Sequence, residues 1–306
     1  MQTPIPDAYW VIDGLLLAGE YPGSECTAST PGKLARIVDA GIRAFVDLTQ
    51  ERELRAYDTQ LRDVAKKSTC DVTYCRHPIR DASVPGKREM RSILAAIKAA
   101  MLDGRPCYVH CWGGIGRTGT VIGCWLVQED NLSADDAIAR IAQLRQSIPD
   151  ARRPSPENEE QRQFIRLWAR THSLAARLDA VLTFHPARSA AVAGFGYAQI
   201  EEDGTFVMAR PSASAEADEL LDAVNDAAWC VPFDWPRWQE EALRYVDDPA
   251  LVASADLDTL IRLWTTHLRK ERFCDGHLAA MASSGHLTAL LDRMAGIRAS
   301  LRERPA

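Results

Sequence analysis

The sequence predicts an α/β fold, a mixed and mostly parallel sheet flanked by helices, followed by a smaller and mainly helical α+β part. Three observations predict it. Up to about residue 172, short β-favouring runs alternate with helically spaced apolar stretches, the pattern of a sheet with helices on both faces. One apolar, strand-like run ends at Cys111, passes through a glycine-rich loop and enters a long apolar helix. Near residues 172–178 the composition shifts: residues 1–172 hold 23 Lys+Arg and 22 Asp+Glu, whereas the remainder holds 13 and 20. The expected division is a first domain over 1–172 and an accessory domain over 175–306.

Each element has a local reason. Residues 9–12 and 15–21 are β-like runs joined by Asp13-Gly14, a strong hairpin signal, and Pro22-Gly23 ends the second. Residues 33–40 read as a helix, preceded by Pro31-Gly32, carrying Leu34, Ile37 and Val38 on one face and stopped by Gly41. Residues 44–48 form a compact apolar strand ending at Thr49. The charged stretch 51–67 has helical spacing, and 72–77 is a further strand closed by Pro78. A proline-bounded loop, 78–86, leads to a helix over 87–102 with Met90, Ile93, Leu94, Ile97 and Met101 on one face, and Asp103-Gly104 turns the chain into the key strand. Residues 118–128 are almost wholly apolar, hence a buried helix. Ser133 caps the next helix, with Asp135 and Asp136 favouring its dipole and Ile138, Ile141 and Leu144 as its stripe. After the proline-rich turn of Pro149, Pro154 and Pro156, residues 157–169 form a helix bearing Phe164, Ile165 and Trp168. Beyond, a hairpin of 197–201 with 205–209 is expected to turn at Asp203-Gly204, and 257–272 and 286–302 are amphipathic helices.

Composition excludes several classes. The 46% hydrophobic and 25% charged residues are ordinary for a globular chain. No stretch approaches the roughly 18 uninterrupted apolar residues of a membrane span. Residues 1–7 lack the basic start and apolar core of a secretory signal, so a cytoplasmic setting and no membrane insertion are expected. Neither part shows the concentrated basic face of a nucleic-acid binder, and the net charge is −6. The eight cysteines, Cys26, Cys70, Cys75, Cys107, Cys111, Cys124, Cys230 and Cys274, are dispersed without a CxxC pair. That is not a disulfide scaffold, and it fits a reducing compartment.

The chemistry concentrates in Cys107-Tyr108-Val109-His110-Cys111-Trp112-Gly113-Gly114-Ile115-Gly116-Arg117-Thr118-Gly119-Thr120. Glycines between Cys111 and Arg117 let successive backbone N–H groups turn inward as a nest for an oxyanion, and the following helix points its positive end at the same spot. A thiol held there is expected to react as its thiolate. Arg117 offers a planar fork for two phosphate oxygens, with Trp112, Gly113, Gly114, Ile115 and Gly116 supplying the rest of the cradle. Thr118 can donate a hydrogen bond to the sulfur, and His110 can fix the loop from behind. These parts suit in-line attack of sulfur on phosphorus. A rival pattern, Gly114-x-Gly116-x-x-Gly119, suggests a dinucleotide site, but its acidic partner would be Asp135 or Asp136, which start a helix instead of ending a second strand.

His-Cys-x5-Arg-Thr-Gly resembles the signature of the cysteine-dependent protein tyrosine phosphatases, above all the dual-specificity group, over roughly residues 5–172. The resemblance implies a phosphatase-type sheet, no cofactor, and hydrolysis of phosphotyrosine, with phosphoserine and phosphothreonine as further substrates, through a phosphocysteine. It implies that Cys111 is the nucleophile, that Arg117 binds phosphate and that Thr118 assists breakdown of the intermediate. It further implies a general acid on a loop some 30 residues before the cysteine, where Asp81 stands. Gln161 sits where related enzymes place a polar residue near the attacking water, although a solvent-facing helix position is the plainer expectation for it. Trp112 is expected at the pocket rim or in packing. The absence of lysines between Cys111 and Arg117 disfavours a highly anionic lipid headgroup. A phosphorylated protein or small phosphomonoester is the expected partner. The alternatives are a catalytically silent phospho-binding adaptor and an arsenate reductase on the same scaffold. The latter would need a reductant path or extra thiols; Cys75 or Cys107 could form a protective disulfide with Cys111 under oxidation, whereas buried core thiols are the expected state of both, and of Cys124.

The densest later stretch, Thr265-Thr266-His267-Leu268-Arg269-Lys270-Glu271-Arg272-Phe273-Cys274-Asp275-Gly276-His277-Leu278, resembles a small bacterial family of unknown function over about 175–303, and no activity comes with it. His267, Cys274, His277 and His286 invite a metal reading. A helix, a glycine-containing turn and a second helix with Cys274 buried is the preferred one, with no metal. Phe233, Trp235 and Trp238 with Pro232 and Pro236 form an aromatic turn expected in the core. A protein partner for this domain is the remaining expectation.

Overall fold

The structure is a computed structural model that describes residues 1–23, 29–183, 192, 194–202 and 206–302. It divides into two compact units, Met1–Leu174 and Ala175–Ala306.

The first unit is built on a five-stranded sheet of β1 (Ala8–Ile12), β2 (Leu16–Gly19), β3 (Ala44–Asp47), β4 (Thr73–Arg76) and β5 (Cys107–His110), in the order β1-β2-β5-β3-β4. β1 and β2 form the expected hairpin, with Gly14 in the left-handed region at φ 73°. Every other pairing is parallel, and β5 lies in the middle: Gly19 and Asp47 are both in register with His110. All the parallel strands therefore end at one edge of the sheet. In an open sheet of this kind that edge is where ligands bind.

Alternation along β5 splits the core in two. Cys107 and Val109 face a cluster with Ile93, Ile97, Val121 and Trp125, while Tyr108 faces another with Leu34, Ile37, Phe45 and Leu61. Helices α3 (Lys87–Leu102), α4 (Gly116–Glu129), α5 (Ala134–Leu144) and α6 (Glu159–His172) supply the first cluster, and α1 (Thr30–Asp39) and α2 (Asp58–Lys67) the second. α4 is buried from Gly116 to Gln128, which accounts for a sequence with no polar stripe. Ser133 caps α5 by accepting from the Asp136 N–H at 3.1 Å.

Several element bounds differ from the sequence expectation. α1 begins at Thr30 and takes Pro31 into its first turn, a position that needs no N–H donor. Residues 51–57 are not helical: Arg52 has φ 64°, and α2 starts only at Asp58. α4 begins at Gly116, so Arg117 stands in its first turn.

The second unit contains α7 (Leu174–Leu182), an antiparallel pair β6 (Phe195–Glu202) and β7 (Phe206–Ala213), and α8 (Ala215–Asp226). A single 3₁₀ turn (Trp235–Trp238) leads to α9 (Gln239–Asp247), α10 (Pro249–Ser254), α11 (Leu257–Glu271), α12 (His277–Ser283) and α13 (His286–Arg302). The strand pair is longer than expected, and the turn foreseen at Asp203-Gly204 lies outside the described residues. Trp229, Leu260, Trp264, Leu290, Leu291 and Met294 are fully buried. Arg177 enters this core by donating to the carbonyls of Ala227 and Ala228 and lying over the Trp229 ring.

Candidate active site

The loop after β5 is held from three sides. The Tyr21 N–H donates to Trp112 O at 2.7 Å, Ser155 Oγ donates to Ile115 O at 2.7 Å, and Thr120 Oγ1 donates to Gly116 O at 2.9 Å. Gly114 has φ 67°, and a Cβ there would lie 2.3 Å from the backbone carbon of Gly19, so both conformation and space require glycine. At Gly116 a Cβ would meet Glu157 Oε1 at 2.2 Å.

His110 sits behind the loop, fully buried. Its Nδ1 is 3.2 Å from Cys111 O, a pure acceptor, so Nδ1 carries the proton and Nε2 accepts from the Tyr57 hydroxyl at 2.7 Å. Burial lowers the His110 pKa and keeps the ring neutral. Beneath it, Asp47 accepts from Thr49 N and Oγ1, Tyr74 Oη and Arg76. Burial opposes its charge, but the hydrogen bonds from Thr49 and Tyr74 outweigh that cost, and the Asp47 pKa is lowered.

Arg117 is the charged centre of the site. Its Nη1 and Nη2 donate to Glu53 Oε2 and Oε1 at 2.8 and 2.6 Å, a bidentate pair, and Nη1 also donates to Ile79 O at 3.1 Å. Asp81 Oδ1 lies 2.9 Å from Nη2. Burial works against the Glu53 carboxylate, yet the bonds from Arg117 and from the Gln50 N–H prevail, and its pKa is lowered. Glu53 had no motif to announce it. The available signal was positional: a carboxylate in the turn just beyond the carboxyl end of a strand beside β5.

One cavity of about 530 Å³ gathers Cys111, Trp112, Gly113, Ile115, Gly116, Arg117 and Asp81 with Ala82, Arg153, Glu157 and Asn158. Cys111 is 3% exposed, Trp112 57%, so Trp112 is a rim residue and not a packing one. Gln161 is fully buried, which overturns its expected solvent-facing position. Its Oε1 accepts from the Glu157 N–H at 3.1 Å and its Nε2 donates to Ser83 O at 3.4 Å. Asn158 Nδ2 donates to Ala82 O at 2.9 Å while its Oδ1 caps α6. Together they tie the start of α6 to the loop that bears Asp81. The expected Thr118 hydrogen bond to sulfur is not made: its hydroxyl is buried and has no hydrogen-bond partner among the described residues.

Neither auxiliary cysteine is placed to pair with Cys111. Cys107 lies four residues away along an extended segment, about 13 Å, whereas a disulfide needs Cα atoms within about 7 Å. Cys75 is in register with Val46, itself in register with Val109, so it is two strands from β5. Burial pushes the Cys75 thiol up to about 11 and the Cys107 thiol higher still.

In the second unit the metal reading meets a different geometry. His267 Nδ1 is 2.9 Å from His277 Nε2, and His267 Nε2 is 3.0 Å from His286 Nε2. The central ring spends opposite nitrogens on its neighbours, so the three do not converge on one point. No group of three metal-ligating side chains occurs among the described residues. Cys274 is exposed rather than buried, because it sits in the turn after α11. Phe233 is buried as expected, with Arg262 over its ring at 5.3 Å, while Trp235 is half-buried and stacks on the exposed Phe273.

Comparison with known families agrees with this division. Residues 19–131 match the model of a phosphatase family described as "Polymorphic toxin system, DSP-PTPase phosphatase", and residues 173–300 match a "Family of unknown function (DUF6508)". The chain is 28% identical over 150 residues to the mouse phosphatidylglycerophosphatase and protein-tyrosine phosphatase 1, covering 46% of this chain and 69% of that protein. It is 32% identical over 76 residues to the human dual specificity protein phosphatase 15, covering 24% of this chain and 26% of that protein. The crystal structure of Tk-PTP in the active form aligns at 23% identity over 54% of this chain and 97% of its own, with a TM-score of 0.43. Residues 19–131 thus match a phosphatase family of the dual-specificity kind and resemble tyrosine and dual-specificity phosphatases, and residues 173–300 match a separate family whose function is unknown.

Proposed function

We propose that the first unit is a phosphomonoester hydrolase that works through a phosphocysteine at Cys111. The observation that carries this reading is the cavity in which Cys111, Arg117, Asp81 and the glycine-rich backbone meet, from stretches 30 residues apart in the chain. The Cys111 sulfur attacks phosphorus in line as Arg117 and the loop N–H groups bind the phosphoryl oxygens. The P–O bond to the leaving group breaks, and Asp81 gives its proton to that oxygen. Water, deprotonated by the Asp81 carboxylate, then attacks phosphorus and frees the thiolate and inorganic phosphate. Asp81 pairs with Arg117, so an arriving phosphate takes over the guanidinium and releases the carboxyl for proton transfer. Glu53 is a positioning residue: it fixes the plane of the Arg117 fork.

The preferred substrate class is phosphotyrosine, with phosphoserine and phosphothreonine next. The exposed Trp112 offers an aromatic wall to an aryl leaving group, and the reducing cytoplasm suits a working thiolate. The test is hydrolysis of p-nitrophenyl phosphate and of phosphopeptides by the full chain. Cys111→Ser should abolish turnover, and Asp81→Asn should slow it by about 10²-fold. Turnover that survives Cys111→Ser would reject the mechanism, and a near-normal rate for Asp81→Asn would reject the acid.

A further inference from the structure

The second unit contains a pocket of its own, of about 240 Å³, lined by Leu221, Asn225, Cys230, Leu268, Arg269, Glu271, Arg272 and Leu278. Arg269 and Arg272 stand one helical turn apart at the end of α11, on the same side of that helix. Cys230 lines the same pocket as both guanidiniums, and their positive charges favour its thiolate against the larger effect of burial. Leu268 and Leu278 give the pocket apolar walls.

These two guanidiniums differ from the other arginines whose side chains are described in this unit. Arg237, Arg244 and Arg298 each meet a carboxylate. Arg177 and Arg293 donate to backbone carbonyls, and Arg262 lies over the rings of Phe233 and Trp238. Arg269 and Arg272 meet no carboxylate at ion-pairing distance among the described residues, although acidic residues outnumber basic ones 20 to 13 beyond residue 172. The one carboxylate on the pocket wall, Glu271, is engaged elsewhere, accepting from the N–H groups of Gly276 and Leu278. Proximity to the negative end of α11 accounts for basic residues on its last turn. It does not account for a concave space between them, or for two forks left without a carboxylate in an acidic domain. Burial keeps Cys230 protonated, so the sulfur adds no negative charge against an anion.

We infer that the pocket between Arg269, Arg272 and Cys230 is a binding site for a tetrahedral oxyanion, the phosphate or sulfate group of a small ligand, separate from the Cys111 cavity. Two cationic forks match two anionic charges, and each can donate in bidentate fashion to a tetrahedral group, where a single carboxylate would leave one fork unused.

The test uses the full chain and inorganic phosphate. Arginine labelling by phenylglyoxal is followed peptide by peptide with mass spectrometry, at constant ionic strength set with chloride. Phosphate should slow labelling of Arg269 and Arg272 saturably, by about threefold or more, and leave the exposed Arg237 unchanged. Sulfate should act in the same way. Arg269→Gln should remove the protection of Arg272, and Arg272→Gln that of Arg269, with hydrolysis of p-nitrophenyl phosphate and the melting temperature unaltered. No protection, equal protection at Arg237, or protection by acetate in place of phosphate would overturn the assignment. Because the readout is local to these peptides, it succeeds or fails independently of catalysis at Cys111.

Discussion

The loop after β5 and the histidine chain of the second unit both bury polar side chains, by opposite means. Around the loop the buried groups are charged and paired: Arg117 with Glu53 and Asp81, Asp47 with Arg76. In the chain His277–His267–His286 they are neutral and hydrogen-bonded to one another. A buried cation fixed by one carboxylate and capped by a second, displaceable one is suited to an anion, because an arriving phosphate replaces an interaction already present. A chain of neutral imidazoles offers no fixed charge to an anion. It satisfies its donors internally and leaves its environment dependent on pH.

The largest expected effect breaks the loop. Gly114→Ala must accommodate a Cβ against the Gly19 backbone at positive φ. It should destabilise the first unit by about 3 kcal/mol and cut aryl phosphatase activity by more than about 10²-fold, read by thermal melting and steady-state kinetics. An unchanged melting temperature would show that the loop does not need this packing.

Acid should separate the units next. Burial lowers the pKa of His267, His277 and His286, that of His286 to about 4. A depressed folded pKa means that the unfolded chain takes up protons first. The stability these rings contribute is therefore present above about 6.5 and is lost as pH falls toward about 4. For His286 alone the loss is on the order of 3 kcal/mol. Among the described residues of the first unit, His110 is the fully buried neutral histidine, and the neighbouring Asp47 offsets part of the cost of charging it. Hydrogen exchange at pH 7 and pH 5, read unit by unit, should show the greater loss of protection over 257–302. Equal loss in both units would contradict the neutral chain.

The smallest effect sharpens the role of Glu53. Glu53→Gln keeps the shape and removes the charge that orients Arg117, and kcat/KM should fall about tenfold. Because the Glu53 pKa is lowered, its pairing with Arg117 persists at and above the ordinary carboxylate range and is lost only in stronger acid. The wild-type and Glu53→Gln pH profiles should therefore run parallel above about pH 5. Divergence near neutral pH would mean that Glu53 exchanges protons during the reaction.

The difference between the two regions also explains what was readable in advance. Cys111, the glycines and Arg117 are contiguous, so their spacing alone prescribed a strand, a nest and a helix. The strands and most helices were legible for the same reason, since periodicity is a local property. Glu53 was not: 51–57 has the charge pattern of a helix, yet it is non-helical, with Arg52 at φ 64° and Glu53 on Arg117. Gln161 read as a surface residue on a strongly amphipathic helix, but the loop bearing Asp81 lies over it. The histidines come together in space, but sequence spacing does not say which ring nitrogen faces which neighbour.

By itself the sequence determined the mixed, mostly parallel sheet, the apolar burial of α4, the oxyanion-sized loop with its thiol and guanidinium, and the change of character near residue 172. These follow from chain-local rules: pleat alternation, helical period, turn chemistry and the conformational freedom of glycine. Tertiary structure alone decided the carboxylates on Arg117, the burial of Gln161, the isolation of Cys75 and Cys107 from Cys111, the histidine chain, and the placing of Arg269 and Arg272 around Cys230. Each of these depends on distances between segments remote in sequence. In a buried setting, those distances determine whether a charge is matched, neutralised or left open to a ligand.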